Sequence, residues 1–219
     1  MAYKARFVRK RPGQLKMSIA NDKVKKYWAD RAKKQGRRTV GFANSPLDKQ
    51  DEYYRKRIEF MLPHMNTELF TIDYGCGTGR FSKLFNPDKY LGADITELLL
   101  NIAASDNPEY NYLLLNNPYL SAYNLPPIEQ FFSSTVLQHN SDESIRLIFL
   151  SLRGLPIKRF MLYETTAKLK SGGHMNFKSF EDYGNLISEV FDISKSEQFK
   201  FIPEHINVEH SLMIFDIDI

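Results

Sequence analysis

The sequence predicts a doubly wound α/β fold: a seven-stranded, mainly parallel sheet with an antiparallel edge strand and a helical N-terminal cap. Three observations carry this. From residue 69 onward, short apolar runs alternate with amphipathic stretches, the pattern of a parallel sheet with helices on both faces. The first run ends in a glycine-rich loop, "DYGCGTGR", at the place where an open α/β sheet binds ligands. The last two runs follow one another with no helix between them, as in an antiparallel edge hairpin.

Taken in order, "YKARFVRK" (3–10) alternates apolar and basic residues and reads as a short edge strand or an arm. A helix follows, with Val24, Tyr27, Trp28 and Ala32 on one face and Gly36 as its stop. A second helix has Ser45 at its N-cap, Pro46 at its first position, a stripe of Leu47, Tyr54, Ile58, Met61 and Leu62, and Pro63 at its close. At helical spacing, most of the aromatics Trp28, Tyr27, Tyr53 and Tyr54 read as ordinary packing. "LFTIDYG" is the first buried strand and "GRFSKLF" a short helix. "KYLGADI" is the second strand, and "TELLLNIAA" a helix capped by Thr96. "YNYLLL" and "EQFFSSTVL" are the third and fourth strands. A helix from Ser141 places Ile145, Ile148, Phe149 and Leu152 on one face. "KRFMLYET" is the fifth strand, and Ser179 with Asp182 forms a capping box ahead of "FEDYGNLISEV". "FDISKSEQF" and "HSLMIFDI" complete the sheet. The expected division is a basic arm over 1–16, a helical cap over 17–66 and the main α/β domain over 67–219.

A chain of 219 residues with 42% apolar content has enough core to fold as one domain. No apolar run approaches a membrane span, so no membrane partner is expected. The basic N-terminus lacks the apolar core of a secretory signal. The single cysteine, Cys76, excludes an internal disulfide and a multi-cysteine zinc site, and a cytoplasmic protein is the default. The histidines and acids show no metal-ligand spacing, so no metal is expected. The net charge of +4 conceals an asymmetry: residues 1–38 carry fourteen Lys/Arg against two Asp, a balance of +12, and the remainder carries −8. Such an arm either meets phosphate, as in nucleic acid, or forms a solvated helix on its own acidic domain.

Gly75, Gly77 and Gly79 are spaced G-x-G-x-G rather than as the dinucleotide fingerprint, and no Gly-Lys-Ser/Thr follows. Asp73 just ahead would repel a pyrophosphate and suits a cationic ligand. Asp94 stands at the end of the second strand, nineteen residues after Gly75. A carboxylate there accepts two hydrogen bonds from a ribose diol, roughly 1.5–3 kcal/mol each. Loop and acid together call for an adenosine whose tail is not phosphate.

At this point the sequence resembles the class I S-adenosylmethionine-dependent methyltransferases, of Rossmann-like fold, over about residues 69–219. "IDYGCGTGR" is similar to their first motif, "LGADIT" to their second, and "FFSSTVLQHNSDE" to the fourth-strand segment of small-molecule-type members. The resemblance implies S-adenosylmethionine as cofactor. It implies a cradle drawn from Asp73, Tyr74, Gly75, Cys76, Gly77, Gly79, Asp94, Ile95, Asn116, Asn117, Ser133 and Ser134. Asp73 would lie near the ammonium or sulfonium end, Asp94 on the ribose and Ser133 beside the methionine part. Where the family commonly has an acid for the adenine amino group, this chain has Asn116-Asn117, whose amide oxygen can make the same contact. "NNPY" (116–119) resembles the N-P-P-Y signature of amino-group methyltransferases but follows the third strand rather than the fourth, which fits the adenine pocket better.

Methyl transfer from a sulfonium is an in-line displacement, and the cofactor supplies the leaving group. Holding acceptor and methyl in line is worth an effective molarity of about 10⁵–10⁸ M, against roughly 10²–10⁴-fold for a general base. Placement therefore outweighs acid–base help. His139, just beyond the fourth strand, is the candidate base, and Gln138 a candidate to orient the acceptor. His174, in the glycine-hinged "SGGHMNF", reads as a loop residue able to fold over the site. Glu164, Thr165 and Thr166 either line the acceptor pocket or are plain polar strand ends, and His64, His205 and His210 have no role. The expected function is an S-adenosylmethionine-dependent methyltransferase acting on an oxygen or nitrogen of a small polar acceptor, such as a sugar or nucleotide-linked sugar. Two rivals stand beside it: a nucleic-acid methyltransferase that uses residues 1–38, and a non-catalytic cofactor-binding module.

Overall fold

Seven runs of four to nine residues build the sheet, buried in its centre and more polar at the β6 edge. Its strands are β1 (Thr71–Tyr74), β2 (Tyr90–Asp94), β3 (Asn111–Leu114), β4 (Gln130–Ser134), β5 (Arg159–Thr165), β6 (Ile193–Phe201) and β7 (His210–Ile217), in the order β3-β2-β1-β4-β5-β7-β6. The helices are α1 (Ile19–Gln35), α2 (Leu47–Met61), α3 (Glu97–Asp106), α4 (Asp142–Leu150) and α5 (Phe180–Ser188). This computed structural model describes residues 19–36, 39, 47–166, 175–203 and 208–218, with 19–23, 47 and 48 described by backbone alone. The arm of 1–16, the strand or arm at 3–10, the Ser45–Pro46 helix start, the stretch around His174, and His205 lie outside the described residues.

The chain divides into two compact units. One gathers residues up to Glu68 with Gly75–Pro118 and Ala122–Leu125; the other holds Leu69–Tyr74, Tyr119–Ser121 and the residues from Pro126 onward. In the first, β2 and β3 pair in parallel from Leu91–Asn111 to Asp94–Leu114, and α3 packs on β3. In the second, β4 pairs in parallel with both β1 and β5. The central strands β4 and β5 are buried almost throughout, as strands covered on both faces must be. Phe131, Phe149 and Phe160 form the aromatic centre, with ring centroids 5.1–5.8 Å apart.

The expected edge hairpin is present: β7 runs antiparallel to both β5 and β6, and is the only antiparallel strand among the seven described. On the edge strand β6, Lys195, Glu197 and Lys200 are exposed or half-buried at the surface, charges that discourage further strand pairing. The α4 face is as expected, with Ile145, Ile148, Phe149 and Leu152 all buried. Ser141 caps this helix by accepting from Ser144 N–H. The Ser179–Asp182 capping box on α5 is complete in both directions, at 2.8 and 3.1 Å.

Four local expectations are corrected. "GRFSKLF" is no α-helix but a run of turns closed by a 3₁₀ turn at Ser82–Leu84. Gly79 sits at φ 67°, off the right-handed helical path, and leaves too few residues before Pro87 for a helix to nucleate. Thr96 holds the N-cap position of α3, yet its side chain makes no capping bond; Asp94 Oδ1 accepts from the Thr96 N–H at 2.7 Å instead. The buried stripe of α2 is Gln50, Tyr53, Tyr54, Arg57 and Met61, so two polar residues face inward while Leu62 is exposed. Tyr27 is likewise exposed on α1, where Ala32 is buried.

Candidate cofactor and acceptor site

The loop after β1 is shaped by its own backbone. Gly75, Gly77 and Gly79 all have positive φ, at 78°, 56° and 67°, a region that other residues adopt only at a cost. The N–H groups of Gly75 and Cys76 converge on the Ala93 carbonyl at 2.7 and 3.1 Å, which ties the loop to the tip of β2. At Gly79 the constraint is also steric. A Cβ there would meet the Tyr112 hydroxyl at 2.8 Å and the Ala103 Cβ at 3.1 Å, so the loop lies directly on β3 and α3.

Asp94 is the chemical centre of this region. Its Oδ2 accepts the Gly77 N–H at 2.9 Å and its Oδ1 the Thr96 N–H at 2.7 Å. The side chain is buried, and burial raises its pKa above the usual carboxylate range, while the N–H groups of Thr96 and Gly77 oppose that shift. An ionised carboxylate has about four acceptor positions. The Gly77 and Thr96 N–H groups take one position on each oxygen, and the Ile95 N–H and Thr96 hydroxyl also favour its charged form. The Asp94 carbonyl accepts from Leu115 N–H at 2.8 Å, so the chain leaves β3 beside the same carboxylate. Asn116 is exposed and Asn117 half-buried. A residue that the sequence does not point to braces them: the Tyr123 hydroxyl accepts from Asn117 N–H at 2.8 Å and donates to the Asn117 carbonyl at 3.0 Å. Ile95 is half-buried between Asp94 and Thr96, and Cys76 is buried with its Sγ within 3.0 Å of where a Gly92 Cβ would stand.

A second feature absent from the sequence expectations is cationic. Arg57 of α2 is almost wholly buried, its guanidinium 4.9 Å from the Phe81 ring centroid and 5.2 and 5.4 Å from those of Tyr53 and Tyr54. Arg80, directly after Gly79, lies 4.0 Å over Tyr54. Desolvated cation–π contacts of this kind are worth about 2 kcal/mol. The Y-Y-x-x-R spacing at 53, 54 and 57 is the signal in the sequence, although at helical spacing it reads as plain packing.

In the other unit, Asp73 and Tyr74 end β1. Asp73 is buried opposite Phe132 in the parallel ladder, and the Tyr74 ring lies 5.5 Å from Phe131. Ser133 is buried and donates to Glu164 Oε1 at 3.4 Å; the Ser134 carbonyl accepts from Thr135 Oγ1 at 2.7 Å. Gln138 is buried, and its side-chain oxygen accepts from Thr165 N–H at 3.1 Å. His139 is half-buried at the end of the 3₁₀ turn Leu137–His139, with its N–H on the Val136 carbonyl at 3.0 Å. Glu164 is fully buried. Burial pushes its carboxyl up to about 7, against the N–H groups of Leu137, Val136 and Gln138 and the Ser133 hydroxyl, all of which favour the charged form. Thr165 bonds the His210 ring at 3.2 Å, and Thr166 bonds Ser211 at 2.6 Å. Both therefore face the protein rather than standing as bare strand ends. Among the described residues no cluster of three His, Cys, Asp or Glu could hold a metal ion, and no helix is long and apolar enough to cross a membrane.

No family model matches this sequence, and no curated protein matches it. Solved structures do. Magnesium protoporphyrin IX methyltransferase from Synechocystis PCC 6803, solved with bound S-adenosylhomocysteine, is 16% identical, with 90% of this chain and 99% of that chain covered and a TM-score of 0.64. A methyltransferase from Anabaena variabilis, described as S-adenosylmethionine-dependent, is 18% identical over 99% of both chains, with a TM-score of 0.61. Phosphoethanolamine N-methyltransferase 1 from Haemonchus contortus, solved with phosphoethanolamine and S-adenosylhomocysteine, is 16% identical over 90% of this chain and 49% of that one, with a TM-score of 0.65. At these identities the likeness speaks to architecture: the chain has the Rossmann-like α/β fold of S-adenosylmethionine-dependent methyltransferases.

Proposed function

We propose that this chain is an S-adenosylmethionine-dependent methyltransferase acting on an oxygen or nitrogen of a small polar acceptor. The observation that carries the reading is Asp94, at the tip of β2, with one carboxylate oxygen on the glycine loop and the other on the start of α3. A carboxylate at this strand tip suits a ribose diol, and the absence of any phosphate-gripping lysine in the loop favours a nucleoside with a non-phosphate tail. When bound, S-adenosylmethionine supplies both the methyl group and its leaving group. The chain's own part is binding and placement. Asp94 holds the ribose, the Tyr123-braced Asn116–Asn117 segment meets the adenine, and Asp73 and Ser133 serve the methionine end. His139 takes a proton from the acceptor where the acceptor has one to lose.

Fold neighbours named for acting on a porphyrin and on phosphoethanolamine support a small-molecule acceptor, and a cytoplasmic setting belongs to the same reading. The test is transfer of tritium from labelled S-adenosylmethionine into small-molecule and nucleic-acid pools, counted separately. Label in the small-molecule pool is the expected result. Tight cofactor binding with no transfer to any pool would leave a non-catalytic cofactor-binding module. Label in the nucleic-acid pool would favour the second reading, which rests on the +12 balance of residues 1–38 and on exposed Lys26, Lys33 and Lys34 along α1.

A further inference from the structure

The passage from β4 into the Leu137–His139 turn runs through a backbone that its residues do not favour. Thr135 has φ 55°, a left-handed conformation that is rare for a β-branched residue. Such a residue persists only where its surroundings over-determine it. One constraint is local: the Thr135 hydroxyl donates to the Ser134 carbonyl at 2.7 Å. The other two come from β5, where the Tyr163 carbonyl accepts from Thr135 N–H at 2.7 Å and Glu164 holds the residues that follow. Glu164 Oε1 accepts from Val136 N–H at 3.1 Å, Leu137 N–H at 3.0 Å and Ser133 Oγ at 3.4 Å, while Oε2 accepts from Gln138 N–H at 3.4 Å. Three successive main-chain N–H groups converging on one anion form a nest, and here the anion is a fully buried side chain of the same protein. Its bonding partners are all dipoles: among the described residues no lysine or arginine pairs with Glu164.

We propose that Glu164 is a positioning residue for the methyl transfer, its carboxylate holding the main chain of 136–138 in one conformation and thereby setting where Gln138 and His139 stand. The part concerning transfer rests on the methyltransferase reading; the grip on the turn does not. Gln138 is placed at both ends by this device, since its N–H meets Glu164 and its side-chain oxygen meets Thr165 N–H at 3.1 Å. Burial pushes the Glu164 carboxyl up to about 7, so the anion that organises the nest is present above neutrality and protonated below it. A protonated carboxyl has a donor of its own and cannot accept all four bonds. Of the groups around it, Tyr183 on α5 interacts with Glu164, and burial pushes its hydroxyl well up, so it stays neutral. Asp142 lies near Tyr183 and pairs with Lys178 at 3.0 Å. Lys178 also donates to the carbonyls of Asn140 and Asn176. His210, on β7, bonds Thr165. His139, on the turn itself, is separated by substitution.

The test follows the amide resonances of Val136, Leu137 and Gln138 in the full chain across neutral pH. The three are expected to shift together with one midpoint, in the wild type and in His139→Gln, and to stay flat in Glu164→Gln. In the same variant, tritium transfer from labelled S-adenosylmethionine into a small-molecule extract should fall roughly 10–100-fold, the loss expected from an acceptor-side displacement of about 1 Å. Affinity for S-adenosylhomocysteine by calorimetry should change less than about threefold. Glu164→Asp, which keeps the charge, should recover part of the amide titration and of the rate. Amides that do not titrate together in the wild type, or that titrate unchanged in Glu164→Gln, overturn the proposal; the wild-type arm decides even if the variant does not fold. Coupled amide titration in a chain that transfers no methyl to any pool would instead sink the methyltransferase reading and leave the grip of Glu164 on its turn standing.

Discussion

Asp94 and Glu164 are both buried carboxylates that accept main-chain N–H groups, yet their surroundings set them different tasks. Asp94 accepts one main-chain N–H on each oxygen, from Gly77 and Thr96; Glu164 gathers three donors on Oε1 and one on Oε2. Asp94→Asn preserves the shape but loses the charge and puts a donor where an acceptor is needed. Charged hydrogen bonds contribute about 1.5–3 kcal/mol each, so the variant should bind S-adenosylhomocysteine at least about tenfold more weakly by calorimetry. Unchanged affinity would refute the ribose assignment. For Glu164 the consequence is one of stability. Its carboxyl titrates at about 7 in the folded chain against an ordinary value of 4.5, so the folded state holds the proton more tightly than the unfolded state. The stabilisation from this group is full below pH 4.5 and is lost as pH rises through 7, a change of about 3 kcal/mol. Urea unfolding at about pH 5 and pH 8 should therefore show a larger loss in the wild type than in Glu164→Gln, which has no proton to release.

Among the elements, the glycines separate conformational from steric demand. Gly36 ends α1 at φ 52° with nothing within 4 Å of where a Cβ would stand, whereas Gly79 has φ 67° and the Tyr112 hydroxyl 2.8 Å from that position. Gly36→Ala should cost about 1 kcal/mol for the left-handed backbone alone. Gly79→Ala adds overpacking of about 1–3 kcal/mol and should lower the melting temperature visibly more; equal melting temperatures would contradict the close contact of the loop with β3. The same contrast explains what the sequence can reveal. The strands, the α4 face and the Ser179–Asp182 capping box are legible because burial period and capping are local, encoded within a few residues. The helix expected over "GRFSKLF" fails because the apolar pattern carries no sign of a backbone already committed to a positive φ at Gly79. Asp94 is legible from its place at a strand tip. The Glu164 nest joins residues 26 to 31 apart in sequence, and the burial of Arg57 depends on Phe81, well beyond its own helix. Neither leaves a periodic trace.

Across the whole molecule, the +12 of residues 1–38 and the −8 of the remainder make salt the sharpest discriminator between acceptor classes. A polyanionic acceptor held by the arm would release condensed counterions, and six to ten phosphate contacts would weaken binding about 10³–10⁵-fold between 50 and 200 mM salt. A small polar acceptor has no such atmosphere to release, and surface charges more than about 10 Å from it are screened at ordinary ionic strength. The expected outcome is therefore a methyl-transfer efficiency, kcat/KM, that changes less than about tenfold over that range. Removal of residues 1–16, with six of the fourteen basic residues, should leave this efficiency within the same margin. If the efficiency instead falls steeply with salt, and the shortened chain shows a flatter slope by several log units per log unit of salt, the arm is gripping phosphates and the acceptor is nucleic acid. That result would leave the roles proposed for Asp94 and the glycine loop untouched and move only the identity of the acceptor, because the proposed ribose contact and the charge asymmetry rest on separate parts of the chain.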